Sequence, residues 1–296
     1  MMKSTVLLVS ILAAQSAGAV SADEHARQIE EWRNQRSERL RAPGGWLSLV
    51  GLDWLKPGRN TVGSAAGNDI VIAAAPAHLG AVIWSDGKVV IELADGVDAR
   101  IDGERKTRAE LLDDSNAKPT LVAFGTTHFY PLDRSGRKAL RVKDSEAPTR
   151  TGFLGIDNYP VDASWRIEAR WIPFDPPQTL DIPNITGQIE KMTVPGKAVF
   201  EREGRTWELL PVLDSPDAKQ LFFIFADKTS AKTTYGAGRF LYSDFASNGM
   251  VVIDFNKAYN PPCAFTPYAT CPLAPPENRL GMAVEAGELK YRGGDH

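Results

Sequence analysis

The feature that most limits the fold is a series of short apolar runs that begins after residue 45 and continues almost to the end of the chain. Gly, Pro, Asp and Asn residues separate these runs at short intervals. Many short strands with regular turn signals are typical of β-sandwiches and barrels, whereas βαβ folds place helices between their strands. The pattern therefore predicts an all-β fold, mainly antiparallel, made of sandwich-like or barrel-like lobes.

Two of these runs indicate how their strands are buried. Between Trp165 and Trp171 apolar and charged side chains alternate, which predicts a strand with one buried face. The run Leu221–Phe225 is apolar throughout and predicts a strand buried on both faces. Periodicity alone leaves a buried helical segment open as the alternative for this second run.

Changes in composition divide the chain into segments. Residues 23–41 are rich in charge and in helix-forming residues and contain no Gly or Pro, so we expect an N-terminal helix within residues 23–44. Its packing stripe would consist of Ile29, Trp32 and Leu40. The apolar rhythm is interrupted again after Lys143. We therefore expect a β-sandwich-like lobe over residues 45–145 and a second β-rich lobe over residues 146–296.

The first residues predict export. Lys3 precedes the uncharged apolar run Thr5–Ala14, and small residues follow, which is the order found in secretory signal peptides. The run is too short to cross a bilayer, and no later segment approaches that length. We expect a signal peptide over residues 1–22 with cleavage after Ala22, or alternatively after Ala19, and a secreted, periplasmic mature protein.

Composition narrows the classes of partner. An apolar content of 43% is enough for a true core, and the formal net charge of −3 comes without a basic stripe. We therefore expect no binding to nucleic acid and no membrane span in the mature chain. A small molecule is the expected partner, and the sequence names no protein partner.

The segment Tyr235–Arg239 is the first candidate for a ligand site. Gly236 and Gly238 would allow a ligand to approach the backbone closely, and an arginine such as Arg239 can hold a carboxylate or phosphate with two hydrogen bonds. The alternative is a β-turn whose arginine pairs with Asp254 or Glu277. We expect the strand that starts at Arg239 to form a hairpin with the strand that ends at Asp254, which would make these two residues neighbours.

A polar, proline-rich segment follows that second strand. Asp254 and Asn256 are two positions apart, so on a strand their side chains point the same way. Together with Asn260 and Asn278 they could line a pocket, or they could bond to their own backbone before the proline turns. The residues nearby that could take part in catalysis are Asp254 as a general base, with Tyr235 or Tyr259 as its partner.

The cysteines of the chain are Cys263 and Cys271, eight positions apart. In an oxidising compartment we expect a structural disulfide, worth about 2–3 kcal/mol in the loop-entropy model. Two free buried thiols are one alternative, and a metal or catalytic pair is the other. No His near them has ligand spacing, and Tyr235–Arg239 matches neither a P-loop nor a dinucleotide fingerprint, so we expect no metal and no cofactor.

Three motifs in this order resemble one protein family. They are Trp46–Leu52 with Gly58, then Phe153–Ile156 with Tyr159–Asp162, and finally Tyr235–Arg239 with Asp254–Asn256 and Tyr259–Cys263. Together they resemble domain-of-unknown-function family 1684, found in bacteria and archaea. The resemblance implies no established reaction.

These observations lead to one functional prediction and two alternatives. We expect a pocket formed by residues 235–280 that binds a small anionic or carbonyl-bearing ligand through Tyr235, Gly236, Gly238, Arg239, Asn256, Asn260 and Asn278. The first alternative is a hydrolase that uses Asp254 with Tyr235 or Tyr259. The second is an envelope protein-interaction module that uses an apolar surface near residues 46–55.

Overall fold

A computed structural model describes residues 21–293 of the chain. The signal-peptide prediction concerns residues 1–22, nearly all of which lie outside the described part. The first element is the helix α1 (Ala22–Arg41), with Ser21 as its N-cap, so the N-terminal helix is confirmed. Ile29 and Leu40 are buried as expected, and Trp32 is half-buried. A second, short helix, α2, spans Pro148–Thr151.

Ten strands follow α1 and form two sheets. They are β1 (Leu49–Trp54), β2 (Gly58–Gly63), β3 (Ile70–Val71), β4 (Gly80–Ser85), β5 (Lys88–Leu93), β6 (Arg100–Ile101), β7 (Arg108–Glu110), β8 (Val122–Phe124), β9 (Thr127–Arg134) and β10 (Arg137–Asp144). One sheet has the order β1-β10-β9-β8-β6 and the other β3-β2-β4-β5-β7. Both contribute side chains to one core, which includes Val82, Ile91, Phe129 and Leu140, so this lobe is a sandwich.

The outer face of the first of these sheets matters for the site. Along β10, Leu140 and Val142 point into the sandwich core, whereas Ala139, Arg141 and Lys143 alternate with them on the other face. Leu49 on β1 packs with side chains of the second lobe. The two lobes are therefore in direct apolar contact beside the charged side chains of β10.

The second lobe is built around a long bent hairpin. Its strands are β11 (Arg166–Pro183), β12 (Ile189–Arg202), β13 (Arg205–Leu209), β14 (Leu221–Phe225), β15 (Arg239–Ser243) and β16 (Met250–Asp254). The order of the main sheet is β13-β12-β11-β16, and β14 pairs with β15. The pairing of β11 with β12 shifts register between Pro173 and Gln178. Except for the parallel contact of β2 with β3, the strand pairs are antiparallel, which confirms the predicted fold class.

The burial observed in two strands, β11 and β14, agrees with the pattern of their sequences. At the start of β11, Trp165 and Ala169 are buried and Glu168 and Arg170 are exposed, so the one-sided strand is confirmed. All five residues of β14 are buried. Leu221, Phe223 and Phe225 enter one core, while Phe222 and Ile224 enter another, because β14 lies between the two.

The predicted hairpin between β15 and β16 is wrong. β15 pairs with β14 over five residue pairs, from Leu221↔Ser243 to Phe225↔Arg239. β16 instead pairs with the start of β11, from Arg166↔Asp254 to Arg170↔Met250. The turn residues between β15 and β16 fit a hairpin, but β15 pairs with the strand before it and β16 with a strand far earlier in the chain.

Helix α1 crosses to the second lobe and is held there by polar contacts at several points along its length. His25 Nε2 lies 2.7 Å from Asp254 Oδ2, Arg33 donates to Tyr159 O at 2.9 Å, and Arg36 Nε donates to Glu288 Oε1 at 2.6 Å. Over residues 21–293, neither helix has the length and apolar character that a bilayer crossing requires.

Candidate functional site

Arg239 is a buried structural residue. Its side chain is fully buried, and its Nη2 donates to Asp227 Oδ2 at 2.8 Å and to Val284 O at 2.9 Å. Nη1 donates to Ala286 O. Burial lowers the pKa of Arg239, and the Asp227 carboxylate opposes that shift. The expected partners Asp254 and Glu277 are thus replaced by Asp227, and Arg239 has no surface left for a ligand.

The three asparagines of the predicted site also bond to the protein itself. Asn256 Nδ2 donates to Asp162 O, Asn260 Nδ2 to Leu289 O, and Asn278 Nδ2 to Leu210 O, at 2.9, 2.7 and 2.9 Å. These contacts join chain segments that are distant in sequence. The asparagines therefore hold loops together instead of facing a ligand, which is the alternative that turn chemistry suggested.

The remaining residues of Tyr235–Arg239 are likewise used for packing. Tyr235 is half-buried and donates its hydroxyl to Cys263 O at 3.2 Å. Gly238 has a φ of +102°, and a Cβ there would lie 2.5 Å from Phe225 O. The close approach that this glycine permits is thus to strand β14, while at Gly236 a Cβ would meet ordinary contacts with Ala231.

Cys263 and Cys271 lie at disulfide distance, with their Cα atoms 6.2 Å apart. That separation lies within the range that a disulfide can close without backbone movement. Both residues are buried, and their loop forms one wall of the large cavity described next. Among the described residues, no group of His, Cys, Asp and Glu is arranged to hold a metal ion.

A large cavity lies where α1 and the two lobes meet, and its volume is about 1280 Å³. Helix α1 contributes Trp32, Arg36 and Arg39, and the first lobe contributes Trp46, Arg134 and Arg141. The second lobe contributes aromatic side chains and the loop between Cys263 and Cys271, including Phe222, Tyr242, Tyr259, Thr270 and Cys271. Of the residues predicted from the sequence, Tyr259 and Cys271 are the two on this surface.

Arg141 is the most unusual group in the cavity. It is 4% exposed, its Nε has no hydrogen-bond partner, and its Nη2 reaches Thr270 Oγ1 at 3.4 Å. Its nearest carboxylate oxygen is Asp114 Oδ2 at 4.0 Å, but Asp114 is already paired with Arg134 at 2.7 Å. Buried charged groups are normally paired and fully hydrogen-bonded. Arg141 is therefore an under-satisfied cation at a cavity wall.

Aromatic rings form the opposite wall. The rings of Tyr242 and Phe222 stack with their centroids 4.7 Å apart, and the centroids of Tyr242 and Tyr259 are 6.4 Å apart. The guanidinium carbon of Arg36 lies over the Tyr259 ring, 4.3 Å from its centroid. Burial raises the pKa of both tyrosines, so their hydroxyls stay protonated at neutral pH. This wall offers apolar surface together with hydroxyl groups.

A second cavity of about 610 Å³ adjoins the first through three shared residues, Gln220, Tyr242 and Lys257. Both His25 and Asp254 line it. Asp254 thus faces a different cavity from Tyr259, and its hydrogen-bond partners are His25 and Asn256 instead of a tyrosine. The catalytic pairing proposed from the sequence is therefore not assembled in the structure.

Sequence reasoning missed the residues that matter most here, Arg141 and His25. Arg141 lies in a strand where apolar and charged residues alternate, a pattern typical of any strand with one buried face. His25 lies four positions before Ile29 on the buried stripe of α1, so its burial was readable from helical spacing. A histidine on a buried stripe needs a hydrogen-bond partner, and that signal could have drawn attention to it.

Most of the second lobe matches the model of a known protein family. Residues 151–289 match the model of the family described as "Protein of unknown function (DUF1684)". This match confirms the resemblance carried by the middle and C-terminal motifs, whereas Trp46, Arg141 and helix α1 lie outside the matched range. The solution NMR structure of an uncharacterized protein from Haloarcula marismortui is 27% identical, with 50% of this chain and 81% of that chain covered and a TM-score of 0.41. No curated protein matches the chain.

Removal of Arg239 tests its structural role. We expect Arg239→Met to lower the free energy of unfolding by about 3–5 kcal/mol, because Asp227 would be left buried without its cation. Lys191→Met is the matched control, since Lys191 pairs with Asp181 at 2.8 Å on the surface. That control should change stability by less than about 1 kcal/mol. Equal, small losses in chemical denaturation of both variants would contradict the assignment.

The surroundings of Arg141 also predict a pH effect at Lys143. Burial lowers the pKa of Lys143 from 10.5 to about 8, and the Arg141 charge adds to the shift. The unfolded chain therefore binds more protons between these two values, so this residue makes stability rise with pH across that window. We expect Lys143→Met to remove this rise, measured as the difference between wild-type and variant unfolding free energies at pH 7.5 and 9.5. Parallel pH curves would contradict it.

Proposed function

We propose that the protein is an exported, periplasmic binding protein whose ligand is a small anionic or carbonyl-bearing molecule held in the cavity between α1 and the two lobes. The observation that carries the proposal is Arg141, which is buried at the cavity wall without a full set of partners. An anionic ligand would supply those partners. Arginine suits this role because its planar guanidinium can hold carboxylate or phosphate with two hydrogen bonds.

Other groups on the cavity surface support the same ligand class. Besides Arg141, the exposed Arg39 and the half-buried Lys257 also line the cavity. The cationic side chains of the lining outnumber its carboxylates by five to four: Arg36, Arg39, Arg134, Arg141 and Lys257 against Asp114, Asp133, Glu190 and Asp214. The aromatic wall of Phe222, Tyr242 and Tyr259 suits an apolar ligand body, because ligand cavities combine apolar surface with a few convergent polar groups. The protonated hydroxyl of Tyr259 could donate a hydrogen bond to a carbonyl oxygen of the ligand.

The two alternatives have less support. An interaction module would need an exposed apolar surface near residues 46–55, but Leu47, Leu49 and Leu55 are buried, and the exposed Trp46 lines the large cavity. Hydrolysis by Asp254 with Tyr235 would need those groups to converge, yet Tyr235 is bonded to Cys263 O.

Anion binding can be tested with probes of defined charge. We expect phosphate, sulfate, acetate or benzoate to raise the melting temperature of the wild-type protein at fixed ionic strength, because a ligand that binds the folded state stabilises it. Arg141→Met should weaken the affinity for the effective anion about tenfold or more, since hydrogen bonds to charged groups contribute about 1.5–3 kcal/mol. Calorimetric titration would measure the change.

A control and a second readout separate binding from stability. Arg205→Met removes an exposed arginine of β13 and should leave anion affinity unchanged. Without ligand, Arg141→Met should be at least as stable as the wild type, because it replaces an under-satisfied buried cation with an apolar chain. Equal anion responses in wild type and Arg141→Met, or marked instability of that variant, would refute the proposed site.

The export proposal also gains a structural argument about the cleavage position. Ser21 Oγ accepts a hydrogen bond from Glu24 N at the start of α1. Cleavage after Ala22 would remove this N-cap, which typically contributes about 1 kcal/mol, whereas cleavage after Ala19 would retain it. The structure of α1 therefore favours the alternative site.

Intact-mass measurement of protein taken from the periplasm tests export and the disulfide together. We expect a chain that begins at Val20 and gains two hydrogen atoms on reduction, since Cys263 and Cys271 would be joined in an oxidising compartment. A chain that retains Met1 would refute export. A mass unchanged by reduction would refute the disulfide independently of the cleavage site.

A further inference from the structure

The smaller cavity contains a histidine–carboxylate pair that anion binding at Arg141 does not use. His25 Nε2 and Asp254 Oδ2 are 2.7 Å apart, and the two side chains are 6% and 11% exposed. The pair joins the first turn of α1 to the end of β16. Both residues line the cavity of about 610 Å³.

The carboxylate of this pair is fixed in place. Asp254 Oδ1 accepts from Asn256 N at 3.2 Å and from Asn256 Nδ2 at 2.9 Å. Asn256 is fixed in turn, because Asp162 N donates to its Oδ1 at 3.0 Å. Asp254 Oδ2 is thereby directed at the imidazole, as a carboxylate that positions a catalytic histidine must be.

The other ring nitrogen has no partner. In the part of the chain from residue 21 to residue 293, nothing forms a hydrogen bond with His25 Nδ1. With Nε2 donating to the carboxylate, the neutral ring leaves Nδ1 with a free lone pair. A buried polar atom without a partner costs about 1–3 kcal/mol, and a contact that only fixed the helix could use a single donor such as glutamine. Arg239 Nε and Asn260 Oδ1 are also buried without a partner, but those two residues do not line the smaller cavity, whereas His25 does.

The surroundings of the pair suit a polar substrate. The charged groups around the cavity, besides Asp254, are Arg166, Glu168, Asp244 and Lys257. Asp23 and Glu24 precede His25 on the first turn of α1. Because Gln220, Tyr242 and Lys257 also line the large cavity, a ligand held there could extend to His25.

We propose that the smaller cavity is a hydrolytic site in which His25 Nδ1 is the general base and Asp254 is its positioning residue. Nδ1 accepts a proton from water, and the water oxygen attacks the carbonyl carbon of a carboxylic ester. The ester C–O bond then breaks, and the imidazolium returns its proton to the departing alkoxide. Ester and water thus become acid and alcohol, while Asp254 stabilises the imidazolium. This proposal goes beyond anion binding and does not depend on it.

Chemical labelling of the folded wild-type protein tests whether Nδ1 can be reached. Diethyl pyrocarbonate acylates unprotonated imidazole nitrogens, and peptide mass mapping gives the extent of reaction at each histidine. We expect His25 to be labelled in the folded protein although it is nearly buried, because the reagent enters through the cavity. If His25 is labelled only after unfolding, the pair is closed and purely structural, and the proposal is overturned.

Hydrolysis of p-nitrophenyl acetate and butyrate by the full chain tests the base itself. We expect His25→Gln to lower the rate of hydrolysis about 100-fold or more, as loss of a general base does. Asp254→Asn should also lower the rate, whereas His78→Gln and His128→Gln should not. Thermal denaturation shows whether each variant folds.

Two results would contradict the role of His25 as general base even if the labelling reagent reaches it. One is equal hydrolysis by wild type and folded His25→Gln, and the other is hydrolysis that responds equally to His78→Gln. If His25→Gln does not fold, Asp254→Asn decides, because a folded Asp254→Asn protein that hydrolyses the ester as fast as the wild type would overturn the proposal. Failure here would leave anion affinity at Arg141 untouched, so the two proposals fail separately.

Discussion

The buried ion pair of Arg239 and Asp227 is the contact on which the second lobe depends. Asp227 Oδ2 accepts from Arg239, and its Oδ1 accepts from Thr229 N and Val284 N at 2.7 and 3.2 Å. Arg239 also donates to carbonyl groups of Val284 and Ala286. One pair of side chains thus joins β15, the loop after β14 and the C-terminal segment. With both members buried, loss of either would leave an uncompensated charge, which is why such a pair is costly to break.

That C-terminal segment in turn holds α1. Glu288 accepts from Arg36 on the helix and from Asn260 N at 2.7 Å, so it connects the helix to the proline-rich loop. Arg36 also lies over the ring of Tyr259. The large cavity exists because the helix is held across the junction of the lobes. Its aromatic wall and its helical wall are therefore positioned by the same few charged contacts.

The two cavities differ in how they use charge. In the large one, an arginine is buried with too few partners, which favours an incoming anion. In the small one, a carboxylate is fully bonded and directs an imidazole whose second nitrogen is free. Structural residues such as Arg239 and Asn260 also have a buried atom without a partner, so what sets Arg141 and His25 apart is that each lines a cavity.

The sequence by itself determined the fold class, the N-terminal helix and how individual strands are buried. Alternation from Trp165 to Trp171, the apolar run Leu221–Phe225 and the Gly- and Pro-free helix reflect local periodicities of burial, which neighbouring residues encode. It also identified the cysteine pair, because closure of a short loop is a local matter. Only the tertiary structure decided which strands pair and which charges meet. Arg239 pairs with Asp227 and not with Asp254, and Asp254 pairs with His25, which lies near the other end of the chain. The partners of buried charges are set by packing between segments that are distant in sequence. For the same reason, the candidate site lies at the junction of the lobes beside Arg141, and not at Arg239 as the sequence predicted.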